Sequence, residues 1–254
     1  MVTVRQSEAL PQTALRAAVV FAAILGPLSS AADPIDTNRP GFSFTPGIVA
    51  VGQFQVETGI TYTRIDSNSD NVALPAADIR FGVAERIEAF VSSLSWERFE
   101  TDGTKTSGLT DPDAGIKMKI GEKADALQLA LLLKVSVPVG GNDLSSDRWD
   151  PTAGLIWTSG GGLPLAGTVT VSSFDAGLQL DNGLKLPFSL GKGRSAFVEW
   201  EANLPEDGGS SHWMNFGFQW LSAERAQFDL NAGLGLNDRA GDYRIGAGFS
   251  IRLQ

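Results

Sequence analysis

Apolar and polar residues alternate along most of this chain. In 226–237, Phe228, Leu230, Ala232, Leu234 and Leu236 are separated by Gln227, Asp229, Asn231, Gly233 and Gly235. In 243–253, Tyr243, Ile245, Ala247, Phe249, Ile251 and Leu253 alternate with Arg244, Gly246, Gly248, Ser250 and Arg252. A strand turns successive side chains to opposite faces, so each run predicts a β-strand with one apolar and one polar or small face. The residues Asp238, Arg239, Ala240, Gly241 and Asp242 predict the turn of a hairpin. The last strand reaches the end of the chain, and the hairpin is expected to be the closing seam of a barrel.

The same pattern predicts ten earlier strands, near 53–64, 75–83, 87–99, 111–121, 127–137, 150–158, 166–173, 178–190, 195–203 and 213–221. The fifth is the most apolar, with Leu127, Leu129, Leu131, Leu133, Val135 and Val137 on one face. On the third, Phe90, Leu94 and Trp96 share a face, and Phe90, Trp96 and, on the ninth, Phe197 are expected to line the lumen beside charges. The parity of 166–183 stays open. Residues 66–71, 101–110, 140–149 and 204–212 read as polar loops, whereas 84–86, 122–125, 160–164, 191–194 and 223–225 read as short turns. Long connections at one end and short turns at the other are the habit of bacterial outer-membrane barrels. The expected fold is therefore all-β, a transmembrane antiparallel up-and-down β-barrel of about twelve strands over 53–254, after a cleaved signal peptide. A soluble barrel or sandwich would have to bury every apolar face in one core, and its polar faces would carry more Lys and Glu than these do.

The N-terminus changes this picture only at its edge. Arg5 and Arg16 precede the apolar run 17–28, and Ser30, Ala31 and Ala32 supply small residues before Asp33, as in a signal peptide spanning 1–32. Residues 33–52 contain Pro34, Pro40, Gly41, Pro46 and Gly47, which prevent regular structure. This segment is expected to be an irregular arm or a plug in the barrel mouth.

Composition mainly excludes. The 254 residues contain no Cys and one His, so thiolate chemistry and a His-rich metal site are absent. A net charge of −9 speaks against nucleic acid. Neither a metal, a cofactor nor a catalytic constellation is expected. His212 lies beside Ser210 and Ser211, near Glu206 and Asp207, in a loop where a solvated imidazole is the plainer reading. The outer carboxylates (Asp66, Asp70, Asp143, Asp147, Glu206, Asp207, Asp238 and Asp242) could hold cations bridging lipopolysaccharide, though solvated loop charge explains them as well. The candidate site is the polar face that would line the lumen: Asp78, Arg80, Lys117, Lys119, Lys134, Glu199, Glu201, Asp229, Arg244 and Arg252. Charges of both signs there could close the lumen by pairing or line a narrow path.

Several segments resemble, in order, a family of outer-membrane transporters named for the meta-pathway of phenol degradation. Residues 36–42, DTNRPGF, resemble its D-x-x-R-P-x-F opening. Gln55, Glu57, Gly59 and Tyr62 resemble its Q-x-E-x-G-x-x-Y strand, and 80–88, RFGVAERIE, its R-x-G-(L/V)-x-x-R-(L/I)-E hairpin. Residues 111–117 resemble G-D-x-x-x-G-x-K, and 136–140 resemble S-(L/V)-P-T-G with Val139 in place of Thr. The resemblance implies an outer-membrane barrel of a Gram-negative bacterium that passes small molecules. Such barrels usually end in an aromatic residue, where this chain has Gln254.

The expected function is a channel for small hydrophobic or aromatic molecules, not an enzyme. Its expected partners are outer-membrane lipid and lipopolysaccharide, the barrel-assembly machinery and a small-molecule solute. The alternatives are a closed structural or surface-interaction barrel and, less favoured, a lipid-modifying enzyme using His212.

Overall fold

The computed structural model describes residues 34–123, 127–141, 143–160 and 163–253. The expected signal peptide, part of two expected turns (124–126 and 161–162) and Gln254 lie outside the described residues.

The period-two segments form antiparallel strands, and no helix occurs among the described residues. In chain order they are β1 (Phe54–Asp66), β2 (Ser69–Ala84), β3 (Ile87–Thr101), β4 (Thr104–Leu109), β5 (Asp113–Lys123), β6 (Leu127–Ser136), β7 (Asp150–Ser159), β8 (Leu165–Phe174), β9 (Gly177–Gly191), β10 (Arg194–Pro205), β11 (Ser211–Ala223), β12 (Ala226–Gly235) and β13 (Tyr243–Leu253). Twelve of them close into a ring, because β1 pairs with both β2 and β13, β2 pairs with β3, and the others pair in sequence. The seam runs unbroken from Phe54 opposite Leu253 to Arg64 opposite Tyr243. Closure leaves no strand edge to expose unpaired main-chain groups to hydrocarbon.

β4 stands outside the ring. It folds back on the upper part of β3, from Thr101 opposite Thr104 to Trp96 opposite Leu109. The expected loop 101–110 is thus a hairpin, whose turn uses Asp102 and Gly103 at φ +50° and +78°. The expected loop 66–71 is also strand, turning only at Ser67 and Asn68, where Asn68 N–H donates to Asp66 Oδ1 at 2.7 Å. Similarly, β8 and β9 are joined by Asp175 and Ala176 alone. Strands such as β2, with 16 residues, exceed the roughly ten needed to cross a bilayer at a tilt. Their extra length projects at the loop end.

Outward faces carry Ile60, Leu133, Leu155, Leu184, Phe216, Trp220, Leu230 and Ile245, all well exposed. An apolar belt of this kind suits lipid, where exposed Leu and Phe carry no hydration penalty. The parity left open for β8 is settled by Ala166, Thr168, Thr170 and Ser172, which are buried and face inward.

One expected face is wrong. Between the pairs Ala77–Leu94 and Ile79–Val91, β3 carries one residue more than β2. The surplus sits at Ser93, at φ +57°, and forms a β-bulge. Beyond it the parity inverts. Phe90 and Ser92 face inward, but Leu94 and Trp96 turn out, and Trp96 is 41 % exposed beside the exposed Leu109. Trp96 therefore does not line the lumen. The bulge is held by a wall carboxylate, since Ser93 N–H donates to Asp78 Oδ1 at 3.1 Å.

Candidate functional site: the lumen and its arm

Residues 34–52 lack strand pairing apart from one bridge between Val51 and Gly82. Their main-chain groups must find partners elsewhere if buried. They find them on wall strands all around the ring. Glu57 of β1 accepts from Asn38 N (3.2 Å) and Arg39 N (2.9 Å). Glu199 of β10 accepts from Phe42 N and Ser43 N, both at 2.7 Å. Glu88 of β3 accepts from Val49 N at 2.9 Å, and Thr168 of β8 from Phe44 N at 2.9 Å. Lys117 of β5 donates to Thr45 O and Lys185 of β9 to Ser43 O, each at 2.9 Å. Gln219 of β11 donates to Arg39 O at 2.9 Å. A single segment bonded to opposite sides of a closed ring lies inside that ring.

The arm enters and leaves at the short-turn end. Ile35 N–H donates to Glu224 O in the β11–β12 turn, and Gly52 N–H donates to Gly82 O near the β2–β3 turn. Between these points it loops into the lumen. Arg39 forms an ion pair with Asp229 at 3.1 Å. Arg80 is almost wholly buried and uses all five of its donors. Nη1 reaches Glu57 (2.8 Å) and Asp36 O (2.9 Å), Nε and Nη2 reach Glu88 (2.9 and 3.0 Å), and Nη2 also reaches Gly47 O (3.1 Å). Lys117 Nζ adds an ion pair to Glu88 at 3.1 Å. In a medium of low polarity such charges persist only when paired and hydrogen-bonded. The network meets that condition.

The lumen also holds an apolar cluster. Ala130 and Leu132 on β6 and Ile156 on β7 point inward and are fully covered by Phe44 of the arm and Phe90 of β3. Without the arm these side chains would face water in the lumen. Burying a Leu or Ile is worth about 1.5–3 kcal/mol, so the arm is held by packing as well as by charge. Gly183 permits the close fit, since a Cβ there would stand 2.6 Å from the Phe42 ring.

The ten expected lumen residues divide three ways. Arg80, Lys117, Glu199 and Asp229 bind the arm directly. Glu201, Arg244 and Lys134 lie further toward the loop end. Arg244 pairs with Glu201, shares Asn215 with it, and stacks over the Trp213 ring at 4.6 Å, while Lys134 pairs with Asp113 at 2.7 Å. Asp78 serves the bulge, whereas Lys119 and Arg252 sit near the short turns, where their N–H groups donate to Arg86 O and Arg225 O at 2.9 Å. Four residues that matter here, Arg39, Glu57, Glu88 and Lys185, were not among those singled out. Glu57 and Glu88 belong to the resembling segments, and so do Arg39, Gln55, Arg80 and Lys117. The structure brings these scattered positions together around one stretch of main chain.

The arm divides the remaining lumen space. At the short-turn end a cavity of about 430 Å³ is bounded by Asp36, Thr37, Lys192, Arg194 and Gln227. Toward the loop end lie two smaller cavities that share Gly41 and Phe42. One, of about 260 Å³, is lined by Arg39, Thr61, Glu201, Asn231 and Arg244. The other, of about 240 Å³, lies between Phe42 and Phe44 and the inner faces of β7 and β8.

His212 is in β11 rather than in a loop. Its Nε2 is 3.0 Å from Ser210 Oγ, and its ring stacks on Trp200 with centroids 5.8 Å apart. Glu206 instead accepts from Leu178 N at 3.0 Å. An imidazole, hydroxyl and carboxylate do not converge here.

Comparison with known proteins gives the same architecture. The COG4313 outer membrane channel from Pseudomonas putida F1 superposes with a TM-score of 0.67 at 12% identity, covering 82% of this chain and 98% of that one. The KdgM porin matches at 0.51 and 9% identity, covering 79% and 99%. The translocator domain of the autotransporter NalP from Neisseria meningitidis matches at 0.50 and 13%, covering 79% and 87%. At these identities the likeness is one of fold. No curated protein sequence matches the chain. The family model described as "Putative MetA-pathway of phenol degradation" matches residues 37–253, from inside the arm to the end of β13, and the chain belongs to that family.

Proposed function

We propose that this protein is an outer-membrane channel for small molecules in a Gram-negative bacterium, with residues 34–52 acting as its internal constriction. The observation that carries the reading is the placement of cavities on both sides of the arm, with Asp36 and Thr37 bordering the one at the short turns and Arg39, Gly41 and Phe42 bordering those toward the loops. In this orientation the short turns are periplasmic and the longer loops external, the habit of such barrels. The apolar belt faces outer-membrane lipid, lipopolysaccharide surrounds the loops, and the barrel-assembly machinery inserts the chain through its last hairpin. The solute is a small molecule with an aromatic or hydrophobic part, in keeping with Phe42, Phe44, Phe90 and Phe197 inside the wall. No enzymatic role is assigned.

The density of bonds from Arg80, Glu57 and Glu88 to the arm favours a second reading, in which the lumen stays shut and the barrel is a structural or surface-binding element. Planar-bilayer recordings separate the two. The unaltered protein should show a small conductance, and Arg39→Ala, which frees the arm from Asp229, should raise it several-fold. Silence from both proteins would leave the closed barrel standing and remove the channel.

A further inference from the structure

The cavity between the arm and β7–β8 has two chemically different walls. One is formed by the Phe42 and Phe44 side chains. The other is a ladder of hydroxyls, Thr152 on β7 and Thr168, Thr170 and Ser172 on β8. β-Strand parity explains the ladder, because 168, 170 and 172 share the inward face and Thr152 is paired opposite Ser172.

These hydroxyls retain bonding capacity. Each has one hydrogen and two acceptor sites. Thr152 and Ser172 bond to each other at 2.9 Å, which uses one of their two hydrogens. Thr168 Oγ1 accepts from Phe44 N–H and keeps its own hydrogen to donate. Thr170 Oγ1 is only 3.5 Å from Asp181 Oδ2, a marginal contact. The shelf can therefore both give and take hydrogen bonds within one surface. Of the two charges lining it, the cation is ion-paired, and the carboxylate is hydrogen-bonded but keeps its negative charge. Lys134 is paired with Asp113, and Asp181 accepts from Gln179 at 2.7 Å and Asn203 at 2.9 Å. An anionic ligand would find no free cation, would face the Asp181 carboxylate and would lose its own hydration.

We infer that this cavity is a binding subsite for a neutral ring bearing hydroxyl groups, with the ring face against Phe42 and Phe44 and the hydroxyls on the threonine–serine shelf. At about 240 Å³ it has room for one such ring. The shared chemistry could come from a hydroxylated aromatic or from a sugar, and the inference deepens the channel reading on which it rests by naming a solute class.

Calorimetric titration of the full barrel in detergent with catechol, glucose, toluene and benzoate tests it. Catechol or glucose should bind, and which of the two binds more tightly identifies the source. Toluene, which lacks hydroxyls, and benzoate, which is charged, should bind at least about tenfold more weakly, as expected for loss of one or two hydrogen bonds. Thr170→Val combined with Ser172→Ala should weaken the preferred ligand by a similar factor. If that protein does not fold, Thr152→Val carries the same expectation. Equal affinity for toluene, or unchanged affinity in the variant, would overturn the subsite. Conductance with no preference for hydroxylated rings would sink the subsite and keep the channel. Binding with no conductance would do the reverse.

Discussion

The two halves of this lumen are built on opposite principles. On the side of β1, β2, β3 and β5 the inward charges are buried against the arm, and Arg80, Glu57, Glu88 and Lys117 are each about 1 % exposed or less. Toward the loops the ion pair of Arg244 with Glu201 borders a cavity, and the Arg244 side chain remains 22 % exposed. The same residue types thus hold a peptide segment at Arg80 and line open space at Arg244. What separates them is the presence of main chain to bind, since the strands themselves continue unchanged through both.

The strongest test of this contrast is to remove one guanidinium from each half. Arg80→Ala leaves Glu57 and Glu88 buried without their main partner and should destabilise the barrel by about 3–5 kcal/mol. Arg244→Ala removes a partly hydrated pair and should cost about 1 kcal/mol or less. Urea unfolding in detergent, followed by the heat-modifiable band on gels, measures both. Similar losses for the two would erase the distinction between the halves.

A smaller change sharpens it. A Cβ at Gly248 would run into the Arg39 guanidinium. Gly248→Ala should therefore displace Arg39 from Asp229 without removing any charge, and channel conductance should rise about twofold to fivefold with little loss of stability. An unchanged conductance would show that the Arg39–Asp229 pair does not set the constriction.

The smallest effect belongs to the loop end. Asp111 accepts from Gly140 N (2.8 Å), Ser146 N (2.8 Å), Ser145 Oγ (3.0 Å) and Ser146 Oγ (3.3 Å). Slight burial works to raise its pKa, but these hydrogen bonds outweigh that and hold it below the ordinary aspartate value. The clamp on 140–149 is then fully present above about pH 4 and is lost as the pH falls through the depressed folded value. Amide exchange in 143–149 should accelerate below that range, and Asp111→Asn should show the faster exchange already at neutral pH. Exchange in the short-turn half should not follow.

Much of the wall could be read directly, because period-two alternation repeats wherever a strand has one face in lipid and one in the lumen. Leu184, Leu186, Phe188 and Leu190 announce β9 without help. The reading failed where a single residue broke the period. Ser93 looks like any strand serine, yet its positive φ reverses the faces of Leu94 and Trp96. β4 was hidden for another reason, since Thr104, Lys105 and Thr106 are polar on both faces and pair above the apolar belt. The lumen site was half legible. Arg80, Lys117, Glu199 and Asp229 stood out as charges on a polar face. Their partners did not, because most are main-chain atoms of 34–52, which no side-chain pattern reveals. The ordered motifs around Arg39, Gln55, Glu57, Arg80, Glu88 and Lys117 were the one available signal.

That preference for main chain has a consequence for how the arm can vary. Glu57, Glu88, Glu199, Lys117, Lys185 and Gln219 read peptide N–H and C=O groups, as a receptor reads the path of a bound peptide. Side-chain identity is demanded where side chains themselves bond or pack: Arg39 for its ion pair, Thr37 and Thr45 for their hydrogen bonds, Gly41 for its φ of +114°, and Ile35, Phe42, Phe44 and Val49 for packing. The barrel can accept a new residue at the half-buried Ile48 and retune the space beside it while the segment keeps its course.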